Sequence, residues 1–307
     1  MTYERELYIM KKTTALILVV LILSSMSFAF AADIAEGEKR TVLGANLDED
    51  QIKSLYGVFG IERGDVKELR VNIDQERKYL EGLIDGSKIG SRSYSSIYIE
   101  TLPAGSGIEV ETHNIDWCSK EMYISALSTA GVKDCRVIVA APFNVSGTAA
   151  LTGVYLAYED MSGVKMDELA KQVGAEELTV TAELAEKLGA VDSVEIVNEL
   201  KLILDETKDM TDDELRAEIL NIAGEMGIEL TDAQTDKLIL LCRSLEKMDP
   251  DKLKSKVDSV KESINKMAEA KDNIQKFSEK FSEKFNNIYN AVYDAFKSFF
   301  SIFGKKN

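Results

Sequence analysis

Histidine is nearly absent from this 307-residue chain, in which His113 is the single example. One histidine excludes metal sites built from several imidazoles, and it excludes the metalloprotease motifs that depend on them. Proline is also scarce, with three residues, and the chain has no proline after Pro250. The carboxyl-terminal part therefore lacks the strongest helix breaker, which permits a long uninterrupted helix there.

Basic residues are outnumbered by acidic ones, and the net charge is −16. The imbalance is uneven, since residues 251–307 carry 12 lysines against 8 acids. A surface this acidic repels nucleic acid and anionic glycopolymers, because phosphate binding needs a basic footprint. We therefore expect no nucleic-acid partner. Cations, basic peptides and basic wall components stay open as partners.

Cysteine is limited to Cys118, Cys135 and Cys242. The first two flank a predicted helix over residues 119–130, which is about 18 Å long at 1.5 Å per residue. The Cα atoms of a disulfide lie within about 7 Å of each other. We expect all three thiols to be free and buried, as unpaired cysteines usually are.

The first 31 residues have the three parts of a secretory signal peptide. Lys11 and Lys12 precede an apolar run over residues 15–30, which closes on the small-x-small sequence Ala29-Phe30-Ala31. The run is short for a membrane span, and a retained anchor is the alternative. Met10 is an alternative start. The sequence predicts a secreted or cell-surface protein whose mature chain begins near Ala32.

Residues 32–162 alternate helix and strand patterns. The predicted strands cover residues 67–73, 95–102, 108–113 and 134–140. The predicted helix N-caps are Asp48, Asp74, Ser119 and Ser146. The second and third strands flank a Gly-rich loop and are predicted to form a β-hairpin. The fourth is apolar on both faces, which is typical of a central strand, and Pro142 is expected to end it. The pattern predicts an α+β or α/β layered domain with four strands.

Strand patterns stop at residue 163, and residues 163–250 are predicted as an all-helical domain. Short helices are expected to be separated at Gly163, Gly174 and Gly189. Two capping boxes follow, Thr211-Asp-Asp-Glu214 and Thr231-Asp-Ala-Gln234. A capping box marks the first turn of a helix, so these two predict an antiparallel helical hairpin.

Residues 251–307 are predicted to form a long amphipathic helix with a heptad repeat, the pattern of a coiled coil. The residues expected to associate through this helix are Phe277, Phe281, Phe285, Ile288, Val292 and Phe299. Three interpretations stay open. The apolar face packs back on its own helical domain, pairs with a second copy or a partner helix, or lies peripherally in a membrane interface.

Four stretches resemble a family of secreted proteins of Gram-positive bacteria, the domain of unknown function 1002 family. They are IGSRSYSSIY at residues 89–98, THNI at 112–115, AGVKD at 130–134 and VIVAAPFNVSGTAALTG at 137–153. The resemblance covers most of residues 40–250. It implies an extracytoplasmic location and this domain arrangement, and it implies no chemistry.

Ser146-Gly147-Thr148, at the start of a helix after the central strand, is the first candidate ligand site. A helix N-terminus offers free amides to an anion, and Gly147 lets a ligand approach the backbone. The alternative is that Ser146 caps the helix, as serine usually does. The motif has no lysine, which excludes the usual nucleotide-binding loop.

Arg92 and His113 are the other candidates. Arg92 is a lone basic residue in a serine-rich segment, where it either clamps a carboxylate or phosphate or forms an internal salt bridge. His113 is in register with Glu109 and Glu111, which indicates either a solvent-facing surface or a His–Glu cation site. No metal site or cofactor is predicted.

These features predict an exported cell-envelope protein that binds a ligand or partner, or has a structural role, without catalysis. The alternative is an exported hydrolase of a wall-derived substrate, with its site near Ser146, His113 and Arg92. No nucleophile elbow accompanies these residues.

Overall fold

The structure is a computed structural model, and it describes residues 34–84 and 86–269. The predicted signal peptide over residues 1–31 and the association residues from Phe277 to Phe299 lie outside the described residues. Among the helices of the described ranges, none combines the length and apolar character that crossing a bilayer requires.

One five-stranded mixed sheet forms the centre of the fold. Its strands are β1 (Lys39–Gly44), β2 (Lys67–Val71), β3 (Ser96–Thr101), β4 (Ile108–Ile115) and β5 (Cys135–Val145), in the order β2-β1-β3-β5-β4. β1 is parallel to β2 and β4 is parallel to β5, whereas β3 is antiparallel to both β1 and β5. Mixed α/β architecture is confirmed, but the predicted number of four strands is wrong. β1 was missed because Val42 and Leu43 are its only large apolar residues.

The predicted β-hairpin between β3 and β4 is also wrong, because β5 lies between these two strands. Val137 of β5 pairs with Ile99 of β3 on one side and with Val110 of β4 on the other. A strand that is apolar on both faces is most stable in the middle of a sheet, where both faces are covered. The loop over residues 102–107 crosses two strand spacings, from β3 past β5 to β4. At about 4.8 Å per spacing this distance is about 10 Å, which six residues can cover.

The helices are α1 (Glu49–Phe59), α2 (Ile73–Leu80), α3 (Gly86–Ile89), α4 (Lys120–Ala130), α5 (Thr148–Ser162), α6 (Glu168–Leu188), α7 (Ala190–Leu202), α8 (Leu204–Thr207), α9 (Asp212–Glu225), α10 (Asp232–Leu245) and α11 (Pro250–Glu269). The predicted capping boxes of α1, α9 and α10 are confirmed. The predicted cap Asp74 is wrong, since Asn72 accepts the amide of Gln75 and the Gln75 side chain accepts the amide of Asn72.

Both faces of the sheet are covered. On one face, α1 packs Leu55 and Phe59 against Leu43, Tyr98 and Ile138. The other face belongs to the larger core, to which α4, α5, α6, α7 and α11 all contribute buried side chains. A second core lies within the helical part and joins α9 and α10. The described turns of α11 pack back on the protein, where Val260 and Ile264 belong to the larger core.

Two further expectations are corrected by close packing and by strand register. Gly174 does not separate helices but lies inside α6, where an added Cβ would be 2.8 Å from the carbonyl oxygen of Ala126 on α4. Glycine there lets α6 approach α4.

Pro142 does not end β5, which continues to Val145. Its pairing with β3 ends at Ala140, so the missing amide of Pro142 costs no bond to β3.

The three cysteines are free and buried, as the sequence predicts. Desolvation raises the pKa of each thiol, so these residues are neutral hydrophobic side chains at physiological pH.

Candidate functional site

A cleft of about 660 Å³ opens where the parallel strands β4 and β5 end, beside the first turn of α5. Ligands of α/β proteins commonly bind outside the carboxyl ends of strands, where the loops diverge. Asp116 and Trp117 follow β4 on one side of the cleft. The turn from β5 to α5 and the segment before β3 supply the remaining walls.

The structure brings most of the sequence-predicted site residues together. Arg92, Ser146, Gly147 and Thr148 all line this cleft. His113 is not among its lining residues and belongs to a separate concavity on β4 with Glu109, Glu111 and Lys120. The His113 imidazole is exposed, as predicted, and its Nε2 lies 3.9 Å from Glu111 Oε2.

Ser146 is not the N-cap of α5, which corrects that sequence interpretation. Gly147 occupies the cap position with φ 95°, a left-handed conformation that favours glycine. A Cβ at Gly147 would lie 2.5 Å from the Tyr123 hydroxyl and 2.6 Å from Ile115 Cγ2. The chain therefore turns at the glycine, and the Ser146 hydroxyl donates instead to the carbonyl oxygen of Lys88 at 2.8 Å.

Glu76, which the sequence analysis missed, is a buried carboxyl at the cleft. Its side chain is 1 % exposed. Thr148 donates its hydroxyl to Oε1 at 2.5 Å, and Ser93 donates to Oε2 at 3.1 Å. Desolvation raises the pKa of Glu76 to about 7. The hydrogen bonds from Thr148 and Ser93 lower the pKa, but their effect is smaller than that of desolvation. No local pattern distinguishes Glu76 from the exposed acids near it, since its burial depends on residues 17 and 72 positions away.

Two cations stand at the cleft. Arg92 donates to the hydroxyl of Tyr94 at 3.1 Å, and this bond raises its pKa. Among the described residues no carboxylate lies within ion-pair distance of Arg92, so the predicted internal salt bridge is not formed there. Lys88 pairs with Glu186 at 2.8 Å and lies 4.9 Å from the ring centroid of Trp117.

Three aromatic side chains line the cleft. The rings of Tyr94 and Phe143 meet edge to face, with centroids 4.9 Å apart. Phe143 remains 44 % exposed. Trp117, the one tryptophan of the chain, donates its indole N–H to Glu186 at 2.9 Å. Aromatic faces of this kind offer apolar area next to a wet polar edge, which suits a ligand with a ring.

The hydroxyl of Ser146 is not arranged as a serine nucleophile. The Ser146 proton is directed at a main-chain carbonyl oxygen, and a serine nucleophile needs an adjacent base instead. His113, the one histidine, lies in the other concavity. Within the part of the chain that the structure describes, no group of three His, Cys, Asp or Glu side chains converges to hold a metal ion.

Comparison with known proteins places the chain in a family. A family model described as a protein of unknown function (DUF1002) matches residues 43–266, which is well over half of the chain. The chain is also 36% identical over 253 residues to the "Uncharacterized protein YpuA" of Bacillus subtilis (strain 168), covering 80% of this chain and 86% of that relative. No solved structure matches it significantly. The chain belongs to the DUF1002 family.

Proposed function

We propose that this member of the DUF1002 family is an exported cell-envelope protein that binds a small carboxylate-bearing ligand in the cleft without converting it. The observation that carries the proposal is the placement of Arg92. Its exposed guanidinium lies in the same cleft as the exposed ring of Phe143, and its one hydrogen bond among the described residues goes to a neutral hydroxyl.

The chemistry of the lining defines the ligand class. A guanidinium binds carboxylate in a planar, two-pronged geometry that lysine does not provide. The rings of Tyr94 and Phe143 offer an apolar face to a sugar or similar ring. Ser91, Ser95 and Asn144 add hydroxyl and amide groups to the lining. Sugar acids, which cell walls contain, have this combination of ring, hydroxyls and carboxylate.

One observation favours the hydrolase as the second candidate. Glu76 has a pKa of about 7, and a carboxyl with such a pKa in a cleft is a candidate general acid. Both of its oxygens already accept hydrogen bonds from Thr148 and Ser93, which supports a structural role instead. The two candidates separate on turnover: a hydrolase loses turnover of wall-derived glycans in Glu76→Gln, whereas a binding protein shows none with either form.

Isothermal titration with glucuronate and N-acetylmuramate, against the neutral sugars glucose and N-acetylglucosamine, tests the binding proposal. The acidic sugars should bind more tightly. Arg92→Gln should weaken them by about tenfold to a hundredfold, the equivalent of one charge-assisted hydrogen bond. Arg70→Gln is the matched control, since Arg70 is paired with Glu68 on β2 and is not part of the cleft lining. Equal binding by wild type and Arg92→Gln contradicts the proposal.

Export and association complete the proposed function. Lys11, Lys12 and the Ala29-Phe30-Ala31 exit support removal of the first 31 residues. Intact-mass measurement of the protein recovered outside the cytoplasmic membrane tests this step, since retention of the apolar run contradicts it. The heptad residues from Phe277 to Phe299 support self-association, a protein partner or peripheral membrane contact through the carboxyl-terminal segment.

A further inference from the structure

A second cavity, of about 660 Å³, lies where the α/β layers meet the helical part. It shares no lining residue with the first cleft. Its walls come from the end of α4, the segment between α5 and α6, and the segment that joins α10 to α11. The volume falls within the range of about 300–1,000 Å³ that is usual for small-ligand sites.

Lysine is concentrated around this cavity, in contrast to the acidic character of the whole protein. The five lysines that line it are Lys133, Lys165, Lys247, Lys252 and Lys256. Asp167 and Asp249 are the acidic residues of the lining, so its formal charge is +3. The whole chain carries −16. A basic concavity on an acidic protein attracts an anion locally, because the field of the nearest charges dominates at short range.

Two of these lysines have no carboxylate within ion-pair distance among the described residues. Lys165 is paired with Glu159, and Lys252 lies 3.5 Å from Asp249. Lys256 is half-buried and donates to the carbonyl oxygen of Ser128 at 2.9 Å. Among the described residues, neither Lys247 nor Lys256 lies within ion-pair distance of a carboxylate. These two ammonium groups are therefore available to an anionic group in the cavity.

Between the lysines the lining is apolar. Val164 and Leu169 are among the exposed large hydrophobic residues of the protein, with 48 % and 36 % of their surface exposed. Met166 and Met248 stand nearby, and methionine adapts readily to a flexible apolar ligand. The cavity thus joins an apolar surface to a cationic edge.

We propose that this cavity binds an anionic amphiphile, which is an acyl or alkyl chain that carries a carboxylate or phosphate group. The chain lies on Val164, Leu169 and the methionines, and the headgroup meets Lys247 and Lys256. A simple anion leaves the apolar surface exposed to water, and a neutral hydrocarbon leaves the lysines without counter-charge. An amphiphile satisfies both parts of the lining.

Isothermal titration of the full chain with dodecanoate and dodecyl phosphate tests the proposal, with dodecanol and inorganic phosphate as comparisons. Both anionic amphiphiles should bind more tightly than either comparison compound. Affinity for a series from octanoate to dodecanoate should rise by about twofold to fourfold per methylene, as partial to full burial of each group predicts. Equal affinity for dodecanol, or for inorganic phosphate, overturns the proposal.

Variants locate the site. Lys247→Gln/Lys256→Gln should weaken dodecanoate by about tenfold, because it removes the two ammonium groups that meet the headgroup. Lys247 is exposed, so Lys247→Gln alone is the variant that the fold should tolerate best. Leu169→Asp, in the first turn of α6 where an acid is favourable, should weaken dodecanoate as well. Lys53→Gln/Lys208→Gln removes the same charge away from the cavity and should leave affinity unchanged. The assignment is overturned if Lys53→Gln/Lys208→Gln loses as much affinity for dodecanoate as the cavity variants, or if the cavity variants lose none.

The source of the amphiphile is a separate question that vesicles answer. Flotation with phosphatidylglycerol vesicles, compared between wild type and Lys247→Gln/Lys256→Gln, shows whether the headgroup is taken from a lipid surface. Lysine-dependent flotation identifies a membrane lipid. Binding of monomeric dodecanoate without such flotation identifies a free amphiphile. Both results support the same cavity chemistry.

Discussion

Thr148 donates a hydrogen bond of 2.5 Å to the carboxyl of Glu76, and this contact ties the first turn of α5 to α2. The two residues are 72 positions apart in the chain, and both are buried beside the cleft. A buried carboxyl is stable only when its oxygens have hydrogen-bond partners, which Thr148 and Ser93 supply. The same contact therefore stabilises the fold and holds the α2 and α5 sides of the cleft together.

Glu76 should make stability depend on pH near neutrality. Its folded-state pKa of about 7 lies above the ordinary 4.5, so the folded protein keeps a proton that the unfolded chain has lost. This contribution is fully present below pH 4.5 and is lost as the pH rises through 7. It amounts to about 3 kcal/mol. In urea unfolding, the free energy of unfolding of wild type relative to Glu76→Gln should fall by this amount between pH 4.5 and 8.

Glu81→Gln is the control for this measurement, because Glu81 follows the end of the same helix and is exposed. The difference in free energy of unfolding between wild type and Glu81→Gln should change much less with pH than the difference between wild type and Glu76→Gln. A difference between wild type and Glu76→Gln that is constant from pH 4.5 to 8 contradicts the assigned pKa.

Substitution by aspartate should destabilise the protein at Ser146 but have little effect at Ser119. Ser119 is a true N-cap that accepts the amide of Met122, and aspartate keeps that function within a few tenths of a kcal/mol. Ser146 donates to the carbonyl oxygen of Lys88, which an ionised aspartate cannot do. Ser146→Ala should cost about 1 kcal/mol.

Ser146→Asp should cost more than Ser146→Ala, since it places a carboxylate against the carbonyl oxygen of Lys88. Urea denaturation of Ser146→Ala, Ser146→Asp and Ser119→Asp at pH 7 measures the three free energies. If Ser146→Asp is as stable as wild type, the serine is a cap after all, and the hydrogen bond to Lys88 is not its role.

The Lys201–Glu177 ion pair should be highly sensitive to substitution. The two side chains are 3 % and 0 % exposed and lie 2.7 Å apart, between α6 and α7. Ser125 and Thr129 of α4 also donate to Glu177. Lys201→Met leaves the Glu177 charge buried without its counter-charge and should cost about 3–5 kcal/mol.

Glu177→Gln in the same chain should restore much of the stability lost in Lys201→Met, because it removes the uncompensated charge. Lys78→Met is the control, since Lys78 forms an exposed pair with Glu168 and should cost less than about 1 kcal/mol. Thermal unfolding of the four proteins gives the comparison. A cost for Lys201→Met as small as that of Lys78→Met contradicts the argument.

Contacts within a few residues could be predicted from the sequence, and contacts across the chain could not. The capping box of Asp48 and Gln51 involves residues three positions apart, so its residue types alone indicate it. The position of β5 in the sheet could not be predicted in this way. Ile99 of β3 pairs with Val137 of β5, although Val110 of β4 is nearer to it in the sequence. Alternation of apolar residues gives a strand its faces but does not identify its neighbours.

The candidate site shows the same division. Arg92 and Ser146 stood out because their local surroundings are unusual, and the structure places both in one cleft. Glu76 did not stand out, because the hydroxyls that hold it come from Ser93 and Thr148 in other segments. Its place in the cleft follows from the packing of α2 against α5, which no short motif encodes.

The carboxyl-terminal segment should control association. The described part of α11 uses Val257, Val260 and Ile264 for packing within the protein, and the heptad pattern continues beyond Glu269. An unpartnered apolar face of that length is rare on a monomer. Removal of residues 277–307 should leave the α/β layers folded while converting an oligomeric or vesicle-bound protein to a monomer in solution.

Phe281→Glu/Ile288→Glu should have the same effect as the deletion, because both residues occupy the heptad seam. Asn286→Glu/Asn287→Glu adds the same charge outside the seam and should leave association unchanged. Light scattering measures mass, and vesicle flotation separates lipid from protein partners. If the full chain is monomeric and does not float, the segment packs on its own domain, and the association proposal is wrong.

Fluorescence of Trp117 is the most direct test of the proposed ligand. This residue is the one tryptophan of the chain and lines the cleft, so its emission reports on that site alone. Titration with N-acetylmuramate should shift the emission in a saturable way, and Arg92→Gln should move the midpoint to at least about tenfold higher concentration. N-acetylglucosamine should require a similarly higher concentration. An emission that does not change with N-acetylmuramate, or midpoints that are equal for wild type and Arg92→Gln, would contradict the account.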